Sequence, residues 1–204
     1  MVTIVDYGMG NSNSILNMLK KINVDAKISS NIRDLEEAGK LILPGVGAFD
    51  NAMKNLSDLG IIPVLKKRVI KDKTPILGIC LGMQLLTKKS EEGYLEGLGL
   101  VDAETVRFKF HDNGSLKTPH MGWNTVDIRT ESLLFKDMYE EPRFYFVHSY
   151  YVRCNSSEDI LTTTRYGIEF CSSFMKDNIF GVQFHPEKSH KFGIKLLKNF
   201  AEMC

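Results

Sequence analysis

Residues 1–90 alternate between short apolar runs and longer stretches that carry one apolar face. Thr3 to Val5 forms an apolar strand ending at Asp6, and Gly8, Met9, Gly10 and Asn11 supply a flexible turn after it. Ile15, Met18, Leu19 and Ile22 then fall at i, i+3, i+4 and i+7, which puts one apolar stripe of a helix against a sheet. Ser12 or Ser14 is the expected cap of that helix. Val24 to Ile28 reads as a second strand, and Lys40 to Leu43 as a third that Pro44 and Gly45 should stop. A helix with Phe49, Ala52, Met53 and Leu56 on one face follows, and should resume beyond Pro63. Pro75 to Ile79 is apolar on both faces, as a parallel strand covered on both sides would be. This alternation predicts an α/β fold with a largely parallel sheet.

The pattern shortens after about residue 98. Val101–Phe110, Asn124–Ile128, Arg143–Val147, Tyr150–Cys154, Ile160–Arg165, Ile168–Ser172 and Ile179–Phe184 are β-branched or aromatic-rich runs. Turn material such as Asp112-Asn113-Gly114 and Asn155-Ser156-Ser157 separates them, which favours antiparallel hairpins over crossovers. The final residues return to helix, with Phe192, Leu196, Leu197 and Phe200 on one side. No repeat or linker interrupts the chain, so a single domain over residues 1–204 with a mixed sheet is expected.

Composition narrows the class of function. Lys plus Arg number 26 and Asp plus Glu 25, a net charge of +1, so phosphate neutralisation on a nucleic acid is not expected. No run approaches the roughly 18 apolar residues of a membrane span, and no basic leader precedes Asp6. The four cysteines, at 80, 154, 171 and 204, are too few and scattered for a disulfide scaffold, which predicts a cytoplasmic protein with reduced thiols. No metal-ligand set and no phosphate- or dinucleotide-binding fingerprint is visible, so no cofactor is expected. Lys66, Lys67, Arg68, Lys71 and Lys73 read as a solvated helix face.

One thiol has an unusual setting. Gly78-Ile79-Cys80-Leu81-Gly82 lies where an apolar strand meets a helix, and G-x-nucleophile-x-G at that junction describes a nucleophile elbow. Small residues two positions either side are needed because the sharp turn brings backbone segments together. The helix start favours the thiolate, and the Leu81 N–H points toward a developing oxyanion. A thiol nucleophile needs a base and a group to orient it. Of the histidines at 111, 120, 148, 185 and 190, His185 stands out, because Pro186 pushes it toward an extended backbone. In an extended stretch i and i+2 share a side, so Glu187 can reach the ring nitrogen that faces away from the thiol. The expected triad is Cys80, His185 and Glu187. His190 reads as surface helix and His111 as exposed hairpin.

The segments LILPGVGAFDNAM, PILGICLGMQLL, PHMGWN, YFVHSYYV and GVQFHPEKS, in this order, resemble the triad, or class I, glutamine amidotransferases. DYGMGN, PGVGAF and PHMGWN are similar in particular to the histidine-biosynthesis branch, the glutaminase subunits of imidazole glycerol phosphate synthase. The resemblance runs from residue 3 to about 200. It implies a flavodoxin-like three-layer sandwich with a mixed, largely parallel sheet and added antiparallel strands. It implies that Cys80 attacks the glutamine amide and that a thioester forms. His185 would then protonate the leaving ammonia and Glu187 would orient His185. It assigns Val46 or Gly47, with Leu81, to the oxyanion, and Gln84, Glu92 and the backbone of His148, Ser149 and Tyr150 to glutamine. It further implies a separate (β/α)8 synthase subunit, forming a heterodimer, that receives ammonia. The docking face would include Gly8, Met9, Gly10, Asn11, Pro119, His120, Met121, Gly122, Trp123, Asn124 and Tyr145. Without the resemblance, Gln84 reads as a surface helix residue.

Three other readings use the same residues. Lys88 to Gly93 and Asp102 to Phe108 are reminiscent of a paralogous subunit that supplies ammonia to a sugar-aminating synthase in surface-polysaccharide biosynthesis. A free-standing cysteine hydrolase on this fold would lack the PHMGWN run, and a non-catalytic module would not need the triad.

Overall fold

The computed structural model describes residues 1–110 and 116–204. In chain order the first half holds β1 (Val2–Val5), α1 (Ser12–Lys21), β2 (Ala26–Ser29), α2 (Ile32–Glu36), β3 (Lys40–Gly45), α3 (Phe49–Asp58), α4 (Ile61–Lys66), β4 (Ile76–Cys80) and α5 (Leu81–Leu85). The second half holds β5 (Ala103–Arg107), β6 (His120–Thr125), β7 (Asp127–Ile128), β8 (Arg143–His148), β9 (Tyr150–Cys154), β10 (Ile160–Tyr166), β11 (Ile168–Lys176), β12 (Ile179–Val182) and α6 (His190–Met203).

The main sheet runs β2-β1-β3-β4-β12-β11-β10-β7, with β9 joining β11 and β5 joining β9. β2, β1, β3, β4 and β12 are parallel neighbours, and the pairs beyond β12 are antiparallel. β6 and β8 make a separate antiparallel ribbon. Helical crossovers join β1, β2, β3 and β4, and short turns join the antiparallel pairs β10–β11 and β11–β12. β12, expected among the antiparallel strands, also pairs with β4 in parallel. Both faces of the parallel part are covered. Leu41 and Leu43 of β3 pack with Phe49, Leu56 and Leu65 on one side, while Ile42 packs with Ile4, Ile15, Leu19, Leu196 and Phe200 on the other.

Several expectations need correction. Asn11, not Ser12 or Ser14, precedes the first turn of α1, and its side chain makes no capping bond. β3 continues through Pro44 and Gly45, whose partners are Ile79 and Cys80. Proline ends a strand only where its missing N–H is needed, and the pairing of β3 with β1 has already ended at Ile42. The Pro44 carbonyl accepts from the Tyr7 hydroxyl at 2.6 Å. Pro63 lies inside the first turn of α4, where its missing N–H costs nothing. α2 has no counterpart in the sequence pattern; Asn31 caps it by accepting from the Arg33 N–H. Lys67 and Lys73 pair with Glu36 and Asp177 on a solvated face. Arg68 departs from it: half-buried, it pairs with Asp72 and donates to the Ala38 carbonyl at 2.6 Å. His111 and the turn at residues 112–114 lie outside the described residues. Among the described residues no helix is long and apolar enough to cross a membrane.

Candidate active site

The central strand β4 delivers Cys80 to its carboxyl end, and the chain reverses there directly into α5. Cys80 adopts φ +54°, a strained region for a residue with a side chain. The flanking glycines make the turn possible. A methyl on Gly82 would overlap the Leu43 carbonyl oxygen, and one on Gly78 would lie 2.7 Å from the Gly82 oxygen. Neither glycine is needed for a positive φ; each is needed because another backbone passes through its side-chain space. α5 is five residues long and buried on every side, so the helix expected after the elbow, with Gln84 at its surface, is in fact a core turn.

His185 stands opposite the thiol. Its backbone N–H donates to the Tyr145 carbonyl at 2.9 Å and its carbonyl accepts from the Ser189 hydroxyl at 2.6 Å, so the residue is pinned to β8. Nδ1 of the ring lies 2.8 Å from Glu187 Oε1, and both side chains are about 2% exposed. Nε2 has no hydrogen-bond partner of good geometry, yet the ring is close enough to Cys80 to respond to it. Burial alone would lower the basicity of the imidazole. Cys80 and Glu187 outweigh that and raise its pKa to about 10. The sulfur on one side and the carboxylate on the other thus both favour the protonated ring.

The cavity beside these residues has a volume of about 320 Å³. Its lining includes Cys80, His185, Val46, Gly47, Leu81, Gln84, Glu92, His148, Ser149 and Tyr150. The expected triad, oxyanion and glutamine groups except Glu187 therefore converge on it, with Glu187 behind His185. Gly47 has φ +106°, a conformation open to glycine and costly for other residues. Glu92 accepts from the Phe49 N–H at 3.0 Å, and partial burial raises its pKa above the usual carboxylate value. Asp50 in turn accepts from the Tyr94 and Leu95 N–H groups, which ties the Glu92 loop to α3.

Two expectations fail. Gln84 is buried, not on a surface face: its Nε2 donates to the Tyr150 carbonyl at 3.2 Å and to Gln183 Oε1 at 3.1 Å. His120 is buried too, so it cannot offer its ring to a partner. Its Nδ1 lies 3.0 Å from His148 Nε2, and burial lowers the two pKa values to about 4 and about 3. By contrast Met121 and Trp123, the alternate residues of β6, are 62% and 46% exposed. Pro119 is exposed, lies on the rim of the cavity, and joins this strand to it. Gly8 is exposed, while Met9, Gly10, Asn11, Gly122, Asn124 and Tyr145 are half-buried. His190 is exposed and stacks on Trp123. Sequence reasoning missed Gln183 and Tyr7, both buried beside the elbow, because a lone Gln or Tyr just past an apolar strand carries no signal of its partner.

A strained cysteine elbow, a His–Glu pair and a convergent polar cavity on a mixed α/β sheet define a cysteine-dependent amide-cleaving enzyme. The family model for class-I glutamine amidotransferases matches residues 3–204, and the chain belongs to that family. A Methanococcus maripaludis protein named imidazole glycerol phosphate synthase subunit HisH 2 is 56% identical over 204 residues, covering all of both chains. A Pseudomonas aeruginosa protein of the same name is 49% identical over 203 residues, again covering all of both. Within the family the chain is thus of the HisH type. Among solved structures, the crystal structure of a glutamine amidotransferase matches with a TM-score of 0.70 at 20% identity, covering 97% of this chain and 100% of that one. That likeness shows the flavodoxin-like amidotransferase fold.

Proposed function

We propose that residues 1–204 form one domain acting as the glutaminase subunit of imidazole glycerol phosphate synthase. The observation that carries the reading is the meeting of Cys80 and the His185–Glu187 pair on a cavity that also presents Gln84 and Glu92. Cys80 Sγ adds to the side-chain carbonyl carbon of glutamine, and the oxyanion takes hydrogen bonds from the Leu81 amide and from Val46 or Gly47. His185 gives its proton to the leaving nitrogen, ammonia departs, and a γ-glutamyl thioester remains on Cys80. His185 then draws a proton from water, which cleaves the thioester to glutamate and restores the thiol. Glu187 orients the ring and stabilises its charged form. Glu92 favours the ammonium of glutamine, and the backbone at His148, Ser149 and Tyr150 closes the other wall.

The ammonia passes to a separate (β/α)8 cyclase in the cytoplasm. Met121 and Trp123, with Pro119 between them and the cavity, mark the face that this subunit covers. The test is a glutaminase assay with Cys80→Ala, His185→Ala and Glu187→Ala in the presence of the cyclase. Cys80→Ala should abolish turnover, and His185→Ala should cost more than Glu187→Ala, since one moves the proton and the other positions it. Near-parental turnover in Cys80→Ala would sink the reading. One other reading, carried by the likeness of Lys88 to Gly93 and Asp102 to Phe108 to a paralogous subunit, is ammonia supply to a sugar-aminating synthase. Activation by that synthase and not by the cyclase would select it, with the same chemistry at Cys80.

A further inference from the structure

We infer that Gln183 is a further catalytic residue: its carboxamide N–H donates a hydrogen bond to the sulfur of Cys80 and stabilises the thiolate that attacks the substrate. The inference rests on the reading of Cys80 as nucleophile. Sheet register puts the two residues side by side, because Val182 of β12 pairs with Ile79 of β4 and the next residues along are Gln183 and Cys80. Gln183 is fully buried, its backbone N–H is fixed to the Ser172 carbonyl at 2.9 Å, and its Nε2 lies 3.8 Å from Cys80 Sγ.

A buried amide beside sulfur could present either its oxygen or its nitrogen, and the choice decides whether it helps or opposes a negative charge. Here one carbonyl decides it. The Tyr150 oxygen can only accept, so the Gln84 atom facing it at 3.2 Å must be Nε2. The second hydrogen of that Nε2 goes to Gln183 at 3.1 Å, so the Gln183 atom there must be Oε1. Nε2 of Gln183 is then the atom turned to Cys80. The same carbonyl fixes a second chain. His148 Nδ1, 2.8 Å from Tyr150 O, must carry its proton, so His148 Nε2 accepts from His120 Nδ1 and His120 Nε2 accepts from Asn124 at 3.2 Å. Gln84 Nε2 and His148 Nδ1 both donate to Tyr150 O, and no member of either chain can reverse alone without setting acceptor against acceptor or donor against donor. An N–H at 3.8 Å is a weak bond to a neutral thiol, and a charge-assisted one to a thiolate.

The experiment is alkylation of the full chain by iodoacetamide across pH, with the label located by mass spectrometry and glutaminase kcat and KM measured alongside. Gln183→Met removes the donor at similar length. A thiolate deprived of a donor is scarcer but more nucleophilic. Labelling of Cys80 should therefore slow about three- to tenfold near neutral pH and quicken on the alkaline plateau. The kcat should fall while KM changes little. Gln84→Met tests the orientation without touching sulfur or adding charge, and it keeps the test alive if Gln183→Met does not fold. With no donor left for Gln183 Oε1, the amide is no longer held with Nε2 on Cys80, and the profile moves the same way by a smaller factor. A Gln183→Met profile that superimposes on the parent, or one raised on both limbs by access alone, would overturn the role of Gln183. Retained glutaminase in Cys80→Ala would instead overturn the nucleophile reading beneath it.

Discussion

His120 and His148 are kept neutral by burial, so protonating either one is linked to unfolding. An unfolded histidine titrates near 6.5, while these two titrate at about 4 and about 3 in the fold. Between about pH 6.5 and 4 the unfolded chain binds protons that the native chain refuses, and stability falls as pH drops, by up to about 1.4 kcal/mol per unit for each histidine. His185 has the opposite sign. Its raised pKa contributes stability in full below 6.5, and that contribution is lost as pH rises through about 10. Urea melts at pH 7 and pH 5 should show a lower midpoint at pH 5, and His120→Phe should narrow the gap even though it lowers both values. An equal gap in parent and variant would mean that other groups set the acid limb.

At the scale of elements, the strand–elbow–helix unit depends on space for backbone more than on propensity. Gly82 has no room for a methyl beside the Leu43 carbonyl, whereas Gly60 has φ +66° and open space around its side-chain position. Gly82→Ala should lower stability by about 1–3 kcal/mol or more through overlap, and should displace Cys80. Gly60→Ala should cost about 1–2 kcal/mol from its left-handed backbone alone and leave glutaminase intact. Denaturant titration with a parallel activity assay separates the two, and an active Gly82→Ala variant would contradict the packing argument. Pattern located α1 and α6, which each bury one recognisable face, and β1 and β4, which are short runs buried on both faces. It misjudged α5, since a five-residue helix buried all round has no polar face to reveal. It also stopped β3 too early, because what a proline costs depends on the neighbouring strand, and the pairing with β1 has already ended at Ile42.

For the whole molecule, the proposed cyclase subunit would couple to chemistry through the loop at residues 46–47. Gly47 already sits at positive φ, so the peptide before it can turn its N–H toward or away from the oxyanion. One missing donor costs about 100- to 1000-fold in turnover. Glutaminase measured on the isolated chain should therefore be slow, and the cyclase loaded with its nucleotide ligand should raise it by about that factor. Full turnover in the isolated chain would remove the case for coupling.

Cys80, His185 and Glu187 could be singled out from sequence because their signals are local: glycines at fixed offsets mark the elbow, and Pro186 marks the pair. The pair itself meets across the tight turn at Pro186–Lys188 and not along extended backbone. The change from parallel to antiparallel sheet was legible up to β12, which spacing grouped with the hairpins and the structure also lays parallel to β4. Only the tertiary structure decided that Gln84 faces inward, that His120 is paired with His148, and that Gln183 lies against the thiol. Each of those contacts joins residues 28 to 103 positions apart. Hydrogen-bond polarity between such residues is set by strand register and by one shared carbonyl, neither of which leaves a period or a spacing in the chain.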